Sequence, residues 1–357
     1  MATLDDVARL SQVSAMTVSR VINNKGAVSE VTQQRVMAAI RQLNYRPNLV
    51  ARGLATCRTN SIGVVVSRLE NPNYAVMVAG INRKAAEYGY DILLGNGEDP
   101  AALIHSVNTL LNKQVDGLII LPEETRNTEE SGSQSKRSSL NFYDELEQLI
   151  AAGNVQLPVV LVGDFQMEGI AGRVGVDYYE GARMAVKCLY EKGHRRIGIA
   201  AHEAGLVGIW GERQRGFFDA MQELGCPVLD KDVVYCPEAM EAAMQVGIRF
   251  FAGDDLPTAL YCSNDEIALG FLNAAAQCGV RVPEQISLIG HDGSLYSEVS
   301  YPRLTTVSIS PLQIGAASME IIAECLNESN EPAEQPRERI IKQELIDGNS
   351  VSRRGSA

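Results

Sequence analysis

The sequence predicts a small all-α head followed by an α/β body that contains two doubly wound parallel-sheet subdomains. Apolar residues recur at helical spacing three times in the first 47 residues, and from Ser61 short β-branched runs alternate with amphipathic stretches. Charge follows the same division, since residues 1–60 carry +5 and the other 297 residues carry −17. A basic head on an acidic body indicates a polyanion-binding module joined to a different domain.

Each of the three head helices has a start signal. Thr3 with Asp6 fits a capping box, Ser14 precedes the second helix, and Ser29 precedes the third. Only the four residues 11–14 separate the first two helices, which is the spacing of a helix-turn-helix. The alternative is a plain three-helix bundle, but the charge of +5 favours DNA.

In a helix-turn-helix the second helix enters the major groove and its early residues meet base edges. Those residues are Ala15 and Met16, with Arg20 one turn later. Arginine donates bidentately to guanine, and Ala and Met offer apolar contact to a thymine methyl group. The short hydroxyl side chains nearby suit phosphate oxygens, and they belong to Ser14, Thr17 and Ser19.

Composition excludes several classes of protein. The chain is 45% hydrophobic and 21% charged, which is typical of a soluble globular protein, and no apolar run approaches the roughly 20 residues of a membrane span. Its beginning has no basic-then-apolar signal pattern, and its seven cysteines include no C-x-x-C pair. We therefore expect a cytoplasmic, nucleoid-associated protein with reduced thiols, no metal and no cofactor.

The body has eight candidate strands, which are residues 62–66, 91–94, 117–121, 159–162, 196–200, 232–236, 258–262 and 286–290. The helical stretches between them are 74–88, 181–191, 212–224 and 266–278. Short buried strands joined by helices indicate parallel sheets covered on both faces. Ligands of such sheets bind beyond the carboxyl ends of the strands.

Polar and aromatic side chains follow several of these strand ends, and the predicted effector-binding residues are Asn71, Asn73, Tyr74, Asp164, Trp210, Arg213, Asn264 and Asp292. Carboxylates and amides bond to hydroxyl groups, Arg forks onto oxygens, and aromatic faces cover sugar C–H surfaces. The set therefore suits a polyhydroxylated ligand. Each residue also has an ordinary alternative, since Asp164 could cap a helix, Arg213 could pair with a nearby Glu, and Trp210 could be core.

The head closely resembles that of the lactose-repressor (LacI/GalR) family of bacterial transcription regulators, through TLDDVA, VSAMTVSRVIN and LNYRPN-x-x-A-x-x-L. One departure is Gln12, where family members usually have Gly. The resemblance implies a hinge helix after Asn48 that folds when two copies pair on DNA, with Leu54 as a minor-groove wedge. The residues expected on DNA are Thr3, Ser14, Ala15, Met16, Thr17, Ser19, Arg20, Asn23, Tyr45, Asn48, Ala51 and Leu54.

The body resembles the regulatory core of the same family, akin to periplasmic sugar-binding proteins, through SNDEIALG, ISLIGHDG and P-x-LTTV. The resemblance implies that Arg213, Asn264 and Asp292 are the main effector positions, with Asp164 and the Tyr74 region secondary. Where many members have two consecutive acids, this chain has Asp292 followed by Gly293.

The expected domains are a helix-turn-helix head (1–47), a hinge helix (48–58), an effector-binding and dimerisation body (59–347) and a solvated tail (348–357). Within the body we expect an N-subdomain at about 59–162 and 292–324 and a C-subdomain at about 163–291 and 325–347. The Ser-rich stretch 123–140 is read as a surface loop.

The predicted function is that of a dimeric repressor of carbohydrate-utilisation genes, which binds a pseudo-palindromic double-stranded operator and releases or recruits it in response to a sugar. An enzyme is disfavoured because the chain has no G-x-G-x-x-G after its first strand, no Walker A and no G-x-S-x-G motif. A non-DNA sugar-binding transport protein conflicts with the head. A regulator that senses a nucleobase or a phosphoprotein stays open.

Overall fold

The computed structural model describes residues 2–22, 26, 28–45, 58–122, 146–150, 155–163, 167–202, 208–237, 239–328 and 335–354. Most of the predicted hinge, including Asn48, Ala51 and Leu54, lies outside the described residues. Asn23, Asp164 and the stretch 123–140 also lie outside them. The chain divides into two compact units, residues 1–59 and 60–357.

The first unit contains three helices, α1 (Leu4–Ser11), α2 (Ala15–Ile22) and α3 (Glu30–Gln42). All three predicted start signals are confirmed by hydrogen bonds. The Thr3 hydroxyl accepts from the Asp6 backbone N–H at 3.3 Å, the Ser14 hydroxyl accepts from Thr17 N–H at 3.2 Å, and Ser29 caps α3 in the same way. The helices bury one small core built on Val7, Val18 and Val36.

In the second unit the described residues form two six-stranded sheets. The first sheet has the strands β1 (Ser61–Val66), β2 (Asp91–Asn96), β3 (Gly117–Leu121), β4 (Val159–Val162), β5 (Gly172–Val176) and β11 (Arg337–Ile341), in the order β11-β5-β4-β3-β1-β2. Its pairings are all parallel, as the buried β-branched runs predict.

The second sheet contains β6 (Ile197–His202), β7 (Val233–Cys236), β8 (Ala259–Cys262), β9 (Ser287–Asp292), β10 (Thr305–Ser308) and β12 (Glu344–Ile346). The strand order is β12-β10-β9-β8-β6-β7, and β12 is antiparallel to β10. Both sheets are therefore doubly wound, as predicted.

Helices cover both faces of each sheet. They are α4 (Pro72–Tyr88), α5 (Pro100–Asn112), α6 (Tyr178–Glu191), α7 (Gly208–Glu223), α8 (Met240–Phe251), α9 (Asp265–Cys278), α10 (Leu295–Val299) and α11 (Pro311–Asn327), with a further helical segment at 146–150 and a 3₁₀ turn at Asp230–Asp232. Two apolar clusters sandwich each sheet. Within the described ranges no helix is long and apolar enough to span a membrane.

The sheet topology corrects the predicted subdomain boundaries. β5 and β11 belong to the first sheet, although both lie in the ranges predicted for the C-subdomain, and β10 belongs to the second sheet instead of the first. The reason is that β11 pairs with β5 in parallel register, Arg337 opposite Gly172. The chain thus crosses between the sheets after β5, after β10 and after β11.

The predicted solvated tail is also wrong for residues 348–354. Leu288 N–H donates to the Ser350 backbone oxygen at 2.8 Å, and the Ser350 hydroxyl donates to the Leu288 oxygen at 2.6 Å. Val351 is buried in the core beside the second sheet. The segment is therefore held by backbone pairing that a short polar sequence does not reveal.

Candidate functional site

The second helix of the head, α2, has one buried face and one exposed face. Val18 and Val21 of α2 are buried against the head core, whereas Met16 is 65% exposed and Arg20 is exposed one turn later. Residues four apart lie on one face of a helix, so the predicted base-reading pair points outward together. Ala15 is half-buried and packs on the core, as does Tyr45 after α3.

Several predicted phosphate donors already bond within the head. The Ser14 and Thr17 hydroxyls lie 2.9 Å apart, and the Thr3 hydroxyl donates to Asp6 Oδ2 at 2.8 Å. Ser19 also has an interaction partner. Thr3 and Ser14 thereby cap the starts of α1 and α2, so a phosphate would share these hydroxyls with the helix N-termini.

The turn of the helix-turn-helix contains the departure noted at Gln12. Gln12 has φ 53°, a left-handed conformation in which a residue with a Cβ is strained by about 1 kcal/mol or more. Arg35 of α3, which sequence reasoning missed, donates to the Ser11 and Gln12 backbone oxygens and holds this turn. Gly at position 12 would relieve the strain without removing those bonds.

We therefore expect Gln12→Gly to stabilise the head by about 0.5–1 kcal/mol. Native-state hydrogen exchange of the α1–α3 amides in the full chain measures the local unfolding free energy. The matched control is Gln34→Gly, because Gln34 is exposed within α3 and glycine there should destabilise by about 1 kcal/mol. If Gln12→Gly lowered the local unfolding free energy as Gln34→Gly should, the strain assigned to Gln12 would be contradicted.

The second unit contains an open cleft between the carboxyl ends of its two sheets. Its lining residues are Arg68, Asn71, Asn73, Tyr74, Met77, Leu121, Pro122, Val162, Tyr178, Ile209, Trp210, Arg213, Asp292 and Ile309. The structure thus brings six predicted effector residues together from both sheets, namely Asn71, Asn73, Tyr74, Trp210, Arg213 and Asp292. Such a position is where ligands of doubly wound sheets bind.

Arg213 is the most buried charge in the cleft. Its side chain comes from α7, the residue is 1% exposed, and Nη2 donates to Asp292 Oδ1 at 2.5 Å. Nη1 donates to the Ser263 backbone oxygen. Burial opposes the charge of Arg213, but Asp292 together with Tyr261 and Tyr178 offsets this and raises the pKa of the guanidinium above its ordinary value. The two residues therefore form an ionised pair in the wall of the cleft.

The loop after β9 holds Asp292 in an unusual conformation. Asp292 has φ 114°, which is strained for a residue with a Cβ, and Gly293 follows with φ 67°. A Cβ at Gly293 would lie 2.5 Å from the Ser308 Cβ, so a second acid does not fit there. The close contact with Ser308 is a physical reason for glycine at position 293, where many members of the family that the sequence resembles have a second acidic residue.

Asp265, the first residue of α9, also holds the loop that follows β9. It accepts a hydrogen bond from Ser294 N–H at 2.6 Å and another from the Thr306 hydroxyl at 2.6 Å. Burial and the nearby Asp292 raise the pKa of Asp265 to about 7. Burial likewise raises the pKa of Asp292, and Arg213 partly reverses that shift. Both carboxyls are thus held in place by donors on neighbouring elements.

Aromatic rings line the cleft, but some of their faces are covered. The guanidinium carbon of Arg213 lies 4.7 Å from the Tyr178 ring centre and 5.1 Å from that of Trp210. His202 stacks on Trp210 with ring centres 4.5 Å apart. Burial lowers the pKa of His202 to about 4, with Arg213 and Arg68 adding to the shift, so it stacks as a neutral ring.

Asn264 does not line the cleft in this structure. It is 1% exposed, and its Oδ1 accepts from Ile267 N–H at 2.8 Å, so it caps α9. His291 and Asp292 diverge, as expected for neighbours on a strand: His291 is buried and Asp292 faces Arg213. No group of His, Cys, Asp or Glu in the described ranges could hold a metal ion.

Among the charged and aromatic residues of the cleft, two were not predicted from the sequence. Arg68 lies two residues after β1, so the strand-end rule would have found it. Tyr178 follows β5, which was not recognised as a strand. Its ring packs against Arg213 and therefore shapes the wall of the cleft.

Comparisons with known proteins agree with this architecture. Residues 3–48 match the family model described as bacterial regulatory proteins, lacI family, and residues 186–351 match that of a periplasmic binding protein-like domain. Catabolite control protein A of Priestia megaterium is 32% identical over 326 residues, covering 91% of this chain and 92% of that protein. The chain belongs to the LacI family of bacterial regulatory proteins.

This LacI-family chain is also similar to a second repressor and to two solved structures with bound ligands. The transcriptional repressor PurR of Haemophilus influenzae (strain PittEE) is 32% identical over 98% of this chain and 99% of its own. A Lac repressor structure bound to ONPG superposes with a TM-score of 0.78, 25% identity, and coverage of 98% and 99%. A CelR–cellobiose complex has a TM-score of 0.66 at 25% identity, covering 98% of this chain and all of that one.

The family assignment settles the broad class of function. The chain is a LacI-family transcriptional repressor with a DNA-binding head and a ligand-binding, periplasmic-binding-protein-like body, and it is not an enzyme. Regulators of this family bind operator DNA and small effectors and form dimers.

Proposed function

We propose that this repressor is controlled by a small sugar bound in the cleft, and that it regulates carbohydrate-utilisation genes from the bacterial cytoplasm. The observation that supports this is the arrangement of polar groups, with the Asn71 and Asn73 amides on the first sheet's side and the Arg213–Asp292 pair on the second's. Paired donors and acceptors on two walls suit a ring that carries hydroxyl groups on both edges.

The predicted effector residues other than Trp210 keep their roles in this proposal. Asp292 accepts from two neighbouring hydroxyls, and Arg213 donates to a ring or hydroxyl oxygen. Tyr74 is oriented because its hydroxyl donates to the Pro122 oxygen at 2.9 Å, which turns its ring toward the ligand space. Asp164 and Asn264 are retained as candidate contacts of the ligand-bound form.

A nucleobase is the second candidate, because PurR is a relative at 32% identity over nearly the whole chain. A planar base binds best between two aromatic faces. Trp210 offers little for that purpose, since His202 covers one face and the Arg213 guanidinium packs on the ring as well. The sugar is therefore the better fit to these walls.

Calorimetric titration of the full chain tests the choice. The panel contains ribose, glucose, galactose, cellobiose, glucose 6-phosphate, hypoxanthine and guanine. We expect one of the sugars to bind with a dissociation constant between about 1 µM and 1 mM. Binding of a purine base with no response to any sugar would overturn the proposal in favour of the nucleobase.

Dimerisation is proposed for this chain because two heads on a two-fold axis read a pseudo-palindrome. Helix α10 and the second residue after it expose an apolar face suited to a second copy of the chain, formed by Leu295, Tyr296, Val299 and Tyr301. Val299 is 75% exposed and Tyr301 is 97% exposed. Apolar groups this exposed and this close together are typical of protein–protein contacts.

We expect Val299→Asp to weaken the dimer at least about tenfold, because burying an unpaired carboxylate in an interface costs more than about 1.4 kcal/mol. Sedimentation equilibrium measures the change. Leu94→Asp is the matched control, since Leu94 is exposed on the outer strand β2 of the first sheet. A dimer that tolerates Val299→Asp as well as Leu94→Asp would exclude α10 as the contact.

A further inference from the structure

Gln343 lies on the segment 342–343, where the chain crosses from β11 in the first sheet to β12 in the second. The residue is 6% exposed. Its Nε2 lies 2.7 Å from Nε2 of His291, which belongs to β9. A side chain on the connection between the sheets is therefore hydrogen-bonded to the interior of one of them.

The hydrogen-bond directions follow from the protonation of His291. The imidazole is fully buried, and burial lowers the pKa of His291 well below its ordinary range, so the ring is neutral. A neutral imidazole has one donor and one acceptor. The Gln343 amide donates to Nε2, and Nδ1–H donates to the Tyr261 hydroxyl oxygen at 2.8 Å.

The surroundings leave Gln343 little freedom. A Cβ on Gly181, in the first turns of α6, would lie 1.9 Å from Gln343 Oε1. The glutamine therefore fits only because residue 181 is glycine. Helix α6 begins just after another crossover, the one that follows β5. Gln343 thus lies against β9 and α6 at once.

The same strand carries the proposed effector carboxylate. His291 precedes Asp292, and Ile309 N–H, on the crossover that follows β10, donates to the Asp292 backbone oxygen at 3.1 Å. Two of the crossovers between the sheets are therefore hydrogen-bonded to residues 291 and 292. Any rotation of one sheet against the other bends these segments.

We propose that Gln343 is a positioning residue: its hydrogen bond to His291 fixes the 342–343 crossover to the strand of Asp292 and holds the two sheets in one relative arrangement. Because His291 belongs to the second sheet, the hydrogen bond anchors the end of the crossover to that sheet, so the crossover does not behave as a loose linker between the two sheets. The value of this positioning for regulation rests on the proposed function, whereas the positioning itself is argued from contacts within the chain.

Distance measurements by pulsed electron spin resonance on the full chain test the inference. Spin labels are attached through a keto amino acid at Leu94 and Tyr235, which are exposed on the outer strands β2 and β7 of the two sheets. The variants are Gln343→Leu and the triple variant Tyr261→Phe/His291→Phe/Gln343→Leu. Gln313→Leu is the control, because Gln313 is an exposed glutamine at the start of α11, beside the crossover after β10.

We expect both Gln343 variants to broaden the distance distribution or shift its maximum by more than about 2 Å, while Gln313→Leu matches the parent. The triple variant separates positioning from stability. It includes Tyr261→Phe, because the buried Tyr261 hydroxyl otherwise loses its partner His291. None of the three hydrogen-bonding side chains is then left unpaired, so the melting temperature should lie near the parent's even if Gln343→Leu folds poorly. A parent-like distribution in the triple variant would overturn the inference. Because no effector or operator is added, a negative calorimetric panel would refute the proposed function and leave this result unaffected.

Discussion

Arg20→Ala is expected to cost about 1–3 kcal/mol of binding free energy on the repressor's own operator and much less on random-sequence DNA. Arg20 is exposed on the same face of α2 as Met16, because Val18 and Val21 turn the opposite face into the head core. An arginine in this position can donate two hydrogen bonds to a guanine edge. Alanine removes both, which relaxes discrimination at one base pair.

The measurement is a pair of titrations at one salt concentration, with an operator selected from a random duplex pool and with a random duplex. Arg9→Ala is the matched control, since Arg9 is exposed on α1 and is 3.5 Å from Asp6. Arg9→Ala removes the same charge at a position outside the recognition helix. It should therefore reduce the affinity for both duplexes to a similar, small extent. An equal loss on the two duplexes for Arg20→Ala would show that Arg20 contacts only phosphate.

The strands that could be predicted from sequence are those whose side chains are apolar. All eight predicted strands exist within about two residues of their expected bounds, because β-branched runs such as Ile62–Val66 are buried on both faces. The missed strands lack that signature. Gly172–Val176 contains two glycines, Thr305–Ser308 buries hydroxyls, Arg337–Ile341 begins with three charged residues at a sheet edge, and Glu344–Ile346 is only three residues long.

Sheet membership could not be predicted, because it depends on pairing between distant segments. β11 joins β5 across more than 160 residues, and the Arg173–Glu338 ion pair lies on that junction. No local pattern in Arg337–Ile341 indicates which sheet it enters. The predicted boundaries consequently divided the body by chain order, whereas the sheets exchange strands.

The cleft was easier to predict than the sheets, because the carboxyl ends of parallel strands meet at one edge. Six of the eight predicted effector residues lie there. Asn264 differs because a short amide just before a helix satisfies the helix N-terminus first. Tyr178 could not be found without β5. The stacking of His202 on Trp210 was also beyond the sequence, since it joins the end of β6 to α7.

Asp292→Asn is expected to abolish the response to effector while operator binding without effector stays within about threefold of the parent. Asp292 Oδ1 accepts from Arg213, and the carboxylate lines the cleft. An amide offers one acceptor oxygen in place of two and carries no charge, so it cannot both hold Arg213 and accept from ligand hydroxyls. The head is a separate unit and keeps its own fold.

The substitution should also lower the free energy of unfolding of the body by about 1–3 kcal/mol. Arg213 is almost completely buried, and without an ionised partner its charge is compensated only by the Ser263 oxygen and the aromatic rings. Urea unfolding of the full chain measures this loss. Asp219→Asn is the control, because Asp219 accepts from the Tyr179 hydroxyl at 3.0 Å on α7 outside the cleft.

The two effects of Asp292→Asn can be separated by temperature. Operator release by the sugar identified in the calorimetric panel is measured well below the variant's melting temperature, where the body is folded and only ligand contacts differ. Loss of release together with parent-like operator affinity then assigns Asp292 to the effector. If release survives in the folded variant, the effector binds elsewhere, and the Arg213–Asp292 pair serves only to bury a charge between β9 and α7.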